Sequence, residues 1–190
     1  MNTTNIMIVG VGGQGSLLAS KLLGKLLVSE GYDVKVSEVH GMSQRGGSVV
    51  TYVRFGEKVY SPIITEGEAD VILSFEKLEA ARWASCLKTG GRIIVNTQEI
   101  DPMPVIIGNA EYPHDVLTEL QEKGVQTDAI DALSIALEAG TAKAVNIVLL
   151  SRLAKLFDFP FSKWIDAIEQ TVAPKFVEVN KRAFSLGYNQ

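Results

Sequence analysis

A chain of 190 residues, 46% hydrophobic and 21% charged, has enough apolar material for a folded core but not the length for two catalytic domains. Its formal charge of −4, with no cluster of Lys and Arg, argues against a nucleic-acid surface, because such a surface must displace counterions from phosphates. The single cysteine, Cys86, can make neither an internal disulfide nor a four-thiolate iron–sulfur site, and its place among Ala80, Ala81, Trp83, Ala84 and Leu87 reads as a buried structural thiol.

Met1 to Asn5 has no basic lead into an apolar stretch, so no secretory leader is expected and the location expected is cytoplasmic. Asn5 to Gly10 is a short, nearly continuous apolar run, the pattern of a strand covered on both faces. The leucines of Gln14 to Ser29 recur at helical spacing, and Gly31 supplies a stop. A second strand is expected over Asp33 to Val39, followed by a loop from His40 to Gly47 that holds too much glycine for regular structure. Ser48 to Phe55 alternates, and Gly56-Glu57-Lys58 can turn it back into Val59 to Ile64, which predicts an inserted β-hairpin. Asp70 to Phe75 reads as a buried strand, Glu76 to Leu87 as a helix, Gly90-Gly91 as a break and Arg92 to Asn96 as a strand. Past Pro102 and Pro104, a shorter strand is expected at Val105 to Ile107, a helix over His114 to Lys123 and a weak strand over Val125 to Ala129. From Asp131 to Gln190 only helices are expected, separated by Gly140, Asp158-Phe159-Pro160 and Pro174. The most apolar of these, Ala144 to Phe157, is interrupted by Asn146, Ser151, Arg152 and Lys155, so no membrane span is expected. The order predicts an α/β fold in one domain, residues 1–190. It has a doubly wound, mostly parallel but mixed sheet, an inserted hairpin and a helical C-terminal region over 131–190 that covers one edge or face.

Two segments carry candidate chemistry. Gly10-Val11-Gly12-Gly13-Gln14-Gly15 is a G-x-G-x-x-G turn between a strand and a helix, where free backbone N–H groups and the helix dipole favour an anion. Glu38 could serve as the ribose-binding acid of a dinucleotide site. The same glycines also suit a tight first turn that holds no ligand, and neither reading explains Gln14. In the second segment, His40, Ser43, Gln44, Arg45, Gly46 and Gly47 combine polar donors with paired glycines, and Arg45 can present a planar fork to a carboxylate or phosphate. A solvated glycine-rich turn is the alternative. His40 and His114 are too few and too far apart for a metal site.

The Gly-Gly-Gln-Gly turn at 12–15, the run Ser37 to Val49 containing Ser43-Gln44-Arg45-Gly46-Gly47, and Asp131-Ala132 followed by Ala144-Val145-Asn146 together resemble the gamma-domain family of 2-oxoacid:ferredoxin oxidoreductases. The form most similar in length is the freestanding small (beta) subunit of its indolepyruvate branch. The resemblance implies an accessory subunit of a complex that oxidatively decarboxylates a 2-oxoacid, an aryl pyruvate being favoured, to an acyl-coenzyme A and passes electrons to ferredoxin. It further implies that thiamine diphosphate, magnesium and 4Fe-4S clusters reside on a large cysteine-rich alpha subunit, with coenzyme A as co-substrate. No catalytic residue and no metal ligand is implied in this chain. The loop from His40 to Gly47 is expected to face the partner's active site or its docking surface. A nicotinamide-dependent dehydrogenase and a regulatory binding module are the competing readings.

Overall fold

The apolar run of the first strand, β1 (Thr4–Val11), is buried on both faces in the computed structural model, which describes residues 3–40 and 46–190. Successive strand residues point to opposite faces. Ile6 and Ile8 therefore enter one core, and Met7 and Val9 a second. In chain order there follow α1 (Ser16–Ser29), β2 (Asp33–His40), β3 (Ser48–Gly56), β4 (Ala69–Ser74), α2 (Lys77–Arg82), β5 (Leu87–Asn96), α3 (Met103–Ile106), α4 (Val116–Glu122) and β6 (Gln126–Ile130). Four longer helices complete the chain: α5 (Ala132–Ala139), α6 (Val145–Ala154), α7 (Phe161–Thr171) and α8 (Val177–Asn189).

The strands form one sheet in the order β2-β3-β1-β4-β5-β6. β1, β4, β5 and β6 run parallel, and β3 is antiparallel to both β1 and β2. The mixed, doubly wound sheet matches the expectation, but the hairpin is a different one. β3 pairs with β2 on one side and β1 on the other, so both of its edges are taken and Val59 to Ile64 forms no strand. That segment finds side-chain partners instead of a ladder: Val59 N donates to Asp33 Oδ2 at 2.9 Å, and Arg54 Nη1 donates to the carbonyls of Ser61 and Ile63 at 3.2 and 2.7 Å.

Two other expectations need correction. Gly90-Gly91 does not end an element. It lies inside β5, where the register against β4 shifts between Ala69 opposite Leu87 and Val71 opposite Arg92. A Cβ on Gly91 would come within 3.0 Å of two β4 carbonyl oxygens, so glycine marks an irregularity in the ladder. Val105 to Ile107 is not a strand, because Pro102 and Pro104 set up a single helical turn in which Ile106 N donates to Pro102 O at 3.1 Å.

The larger core lies between one sheet face and α1, α5, α6, α7 and α8. The smaller packs α2 and α4 on the other face. The C-terminal helices thus cover a face rather than an edge. α6 runs through the middle of this layer with every residue buried except Arg152, which pairs with Asp128 through two hydrogen bonds of 3.0 and 2.8 Å. α8 approaches α6 at Gly187, where a Cβ would sit 2.3 Å from Ser151 Oγ and 3.2 Å from the Val148 carbonyl. Glycine to alanine within a helix normally stabilises by about 1 kcal/mol. Here Gly187→Ala is expected to destabilise by about 1–3 kcal/mol, since overpacking forces the helices apart, and urea unfolding of the isolated chain reads the sign directly.

Candidate functional site at the carboxyl end of the sheet

β1 and β4 are parallel neighbours whose following helices cross to opposite faces, α1 to the larger core and α2 to the smaller. In open α/β sheets such a reversal leaves a crevice outside the strand ends where ligands bind. Here a side chain fills it. Gln14 Oε1 accepts from Val11 N at 2.8 Å, and Gln14 Nε2 donates to the Phe75 carbonyl at 3.0 Å, so one amide ties the end of β1 to the residue after β4. Gly10 is required beneath it, since a Cβ there would lie 2.8 Å from Gln14 Oε1 and 3.0 Å from Phe75 Cβ.

Phe75 O also accepts from Asn96 Nδ2 at 3.1 Å, and Asn96 Oδ1 accepts from Ala132 N at 3.2 Å. The brace thus extends across the ends of β4 and β5 to the start of α5. Asp131 caps that helix by accepting from Ser134 N at 3.0 Å, and the Ser134 hydrogen bonds hold its carboxyl below the usual range. On the other side of the turn, Asn146 Nδ2 donates to Gly15 O at 3.2 Å, and its Oδ1 accepts from Ile147 N at 2.9 Å. The motif residues Gln14 and Asn146, far apart in sequence, thereby meet at the glycine turn, while Asp131 lies at the far end of the brace, beyond β6.

The turn also meets the foot of the second candidate loop. Gly12 N donates to Gly47 O at 2.8 Å and Gly46 N to Gly12 O at 3.4 Å, continuing the pairing of Val11 with Ser48. The N–H groups of Val11, Gly12 and Gln14 in the anion cradle expected from the sequence are therefore already engaged, with Gln14 Oε1, the Gly47 carbonyl and the Val11 carbonyl. Gly13 is exposed, and α1 follows Gly15 as its N-cap, with neither a side-chain cap nor an acidic residue in its first turn. His40 ends β2 opposite Val49, while Ser43, Gln44 and Arg45 lie outside the described residues. Glu38 sits within β2 opposite Thr51.

Two buried carboxylates that the sequence reading missed stand behind this foot. Glu79 accepts from Ser48 Oγ and from Arg82 Nη1, the latter at 2.6 Å, and so fastens β3 where it leaves the loop. Glu76 caps α2 through Glu79 N at 2.9 Å and accepts from Ile100 N at 3.2 Å and from the Tyr112 hydroxyl. The available signal was polarity immediately after an apolar strand, at Glu76 beyond β4 and Asn96 at the end of β5, where buried polar groups must find partners.

Beside the glycine turn opens a cleft of about 440 Å³ whose lining includes Gly13, Gln14, Gln98, Leu133, Lys143 and Asn146. Lys143, also missed from sequence, is the one cation among the described residues that line it. Nothing in this set resembles a metal or thiolate centre. Among the described residues no three His, Cys, Asp or Glu side chains converge as metal ligands. Cys86 is buried in the smaller core, where burial pushes its thiol up. His114 pairs instead with Glu99 at 2.9 Å. Among the described residues no helix is long and apolar enough to cross a membrane.

The family model described as pyruvate ferredoxin/flavodoxin oxidoreductase matches residues 5–190. The chain belongs to this family. Indolepyruvate oxidoreductase subunit IorB of Thermococcus kodakarensis is 47% identical over 192 residues, covering 98% of this chain and 95% of that protein. The pyruvate/ketoisovalerate oxidoreductases common subunit gamma of the same organism is 28% identical over 187 residues, covering 95% and 93%. The solved 2-oxoglutarate:ferredoxin oxidoreductase of Magnetococcus marinus, with 2-oxoglutarate, coenzyme A and succinyl-CoA bound, shares the fold with a TM-score of 0.77 at 18% identity, over 100% of this chain and 31% of that one. This chain is thus an oxidoreductase subunit of the pyruvate ferredoxin/flavodoxin oxidoreductase family. Its glycine turn has the sequence of a dinucleotide site, with Gln14 standing in the crevice that a dinucleotide would use.

Proposed function

We propose that this chain is the small subunit of an indolepyruvate:ferredoxin oxidoreductase, a single gamma-type domain serving a larger, cysteine-rich alpha subunit in the cytoplasm. The observation that carries the substrate is the 47% identity to an indolepyruvate subunit along nearly the whole chain, against 28% to a pyruvate/ketoisovalerate subunit. The complex decarboxylates the aryl 2-oxoacid, transfers the acyl group to coenzyme A and delivers the electrons to ferredoxin. Thiamine diphosphate, magnesium and the 4Fe-4S clusters belong to the alpha subunit, because one buried thiol offers no cluster ligation here. The role of this chain is structural support for that chemistry. The Gly10 to Gly15 turn is a rigid corner, and Lys143 gives the adjoining cleft affinity for an anionic group. The loop from His40 to Gly47 faces the partner, with Arg45 as its main polar contact.

The isolated chain, supplied with thiamine diphosphate, magnesium, iron and sulfide, is expected to reduce no acceptor, whereas the two-subunit complex does so with indolepyruvate and coenzyme A. Turnover by the single chain overturns the reading, as does micromolar NAD or NADP binding that Gly12→Val abolishes. In the complex, Arg45→Ala is expected to weaken assembly or slow oxidation at least tenfold, because removing a desolvated arginine contact leaves an anion unpaired. Arg92→Ala, a control on β5 beside Gln126, leaves both within twofold. Slower oxidation with intact assembly puts the loop near the chemistry, and loss of both puts it at the docking surface.

A further inference from the structure

The connection between β5 and α4 is a built platform. Its ends are pinned to α2 and the residue before it: the Tyr112 hydroxyl donates to Glu76 and accepts from Leu78 N at 3.2 Å, and Lys77 Nζ reaches Glu99 at 2.5 Å and the His114 carbonyl at 2.9 Å. The Lys77 ammonium holds the Glu99 carboxyl below its usual range, with His114 adding to the effect. Between the pins the chain turns back on itself, with Asn109 N and Ala110 N both donating to Pro104 O at 2.8 and 3.1 Å.

At the tip stands α3, which buries none of its residues. Met103, Ile106 and Ile107 are 65%, 65% and 59% exposed, three large aliphatic side chains side by side on a segment stiffened by two prolines. Single exposed apolar residues are ordinary, but a group of them on a rigid support marks a contact surface. The rim is acidic. Residues 98–115 contain no Lys or Arg, and Asp101, Glu111 and Asp115 are exposed. The base of the platform, at Ile100, Asp101 and Pro102, shares a small cleft with Gly46, which places it beside the foot of the 40–47 loop.

We propose that this knob is the element by which the chain docks on the larger oxidoreductase subunit, its three aliphatic side chains entering an apolar recess with a basic rim. The inference rests on the function proposed above and names its contact. In the Magnetococcus marinus enzyme the fold corresponds to 31% of one longer chain, whereas the Thermococcus kodakarensis indolepyruvate subunit is matched over 95% of its own length and must hold its partner by surface. A second copy is the poorer occupant, since a two-fold contact would set two acidic rims against each other in a protein of net charge −4. The pinned base lowers the ordering cost of association.

The test uses the larger subunit and this chain, measuring the dissociation constant of the complex by a binding titration. The triple variant Met103→Ser/Ile106→Ser/Ile107→Ser is expected to weaken binding at least 100-fold while leaving the unfolding midpoint of the isolated chain unchanged. Val28→Ser, at a residue 62% exposed on α1, leaves binding unchanged. Asp101→Asn/Glu111→Gln, which touches no apolar contact, is expected to slow association severalfold and to flatten its dependence on salt. Wild-type affinity in the triple variant overturns the docking inference alone. Dimerisation of the isolated chain that the triple variant abolishes overturns it in favour of a second copy. Failure of the wild-type chain to bind the larger subunit overturns the proposed function as well.

Discussion

Gly15→Val is expected to lower the stability of the isolated chain by about 2–4 kcal/mol and to disorder the strand-end brace. Gly15 has a φ of 90°, a left-handed conformation in which a side chain costs about 1–2 kcal/mol, and more when β-branched. Space adds a second cost, because a Cβ would lie 2.7 Å from Asn146 Nδ2. Asn146 would have to swing away and give up its hydrogen bond to the Gly15 carbonyl, worth about 1 kcal/mol. Asn146→Ala removes that obstacle but not the backbone strain, so the two substitutions should be less than additive in urea unfolding. Full additivity would show that the Asn146 contact contributes nothing to the glycine requirement.

Glu76→Ala is expected to cost about 3–5 kcal/mol, with Tyr112→Phe costing about 1–2. The alanine removes a helix cap, worth about 0.5–2 kcal/mol, and leaves the buried Tyr112 hydroxyl and the part-buried Ile100 N–H without their acceptor, each costing about 1–3 kcal/mol. Burial, reinforced by the neighbouring carboxylate, pushes the Tyr112 hydroxyl well above its ordinary value of 10.0. The folded state therefore keeps that proton longer than the unfolded chain does. Its contribution is fully present below about pH 10 and falls as the pH rises further, because only the unfolded chain then gains by ionising. Denaturation between pH 8 and 11 should show wild-type stability declining at the alkaline end more steeply than that of Tyr112→Phe. Equal slopes would contradict the assignment.

The sequence by itself determined every element whose residues are buried by their own pattern. The continuous apolar run of β1, the leucine spacing of α1 and the helices after Asp131 could be read because each requires a covered face wherever it packs. The family also lay in the sequence, in the glycine turn, the Ser-Gln-Arg-Gly-Gly run and Asn146. Tertiary structure alone decided which strand takes each edge of β3. Val59 to Ile64 had the composition of a strand, but β1 and β2 already held both edges and left it no partner. It alone also decided that Gln14 closes the crevice that the G-x-G-x-x-G pattern suggests is open, because its amide joins the nearby Val11 N–H to the Phe75 carbonyl, which is distant in sequence. The partners of Glu76, Glu79 and Tyr112, and the exposed knob of Met103, Ile106 and Ile107, were likewise invisible in one dimension. Local patterns report how much of a residue is covered, whereas the identity of a buried polar group's partner depends on contacts that only the folded chain makes.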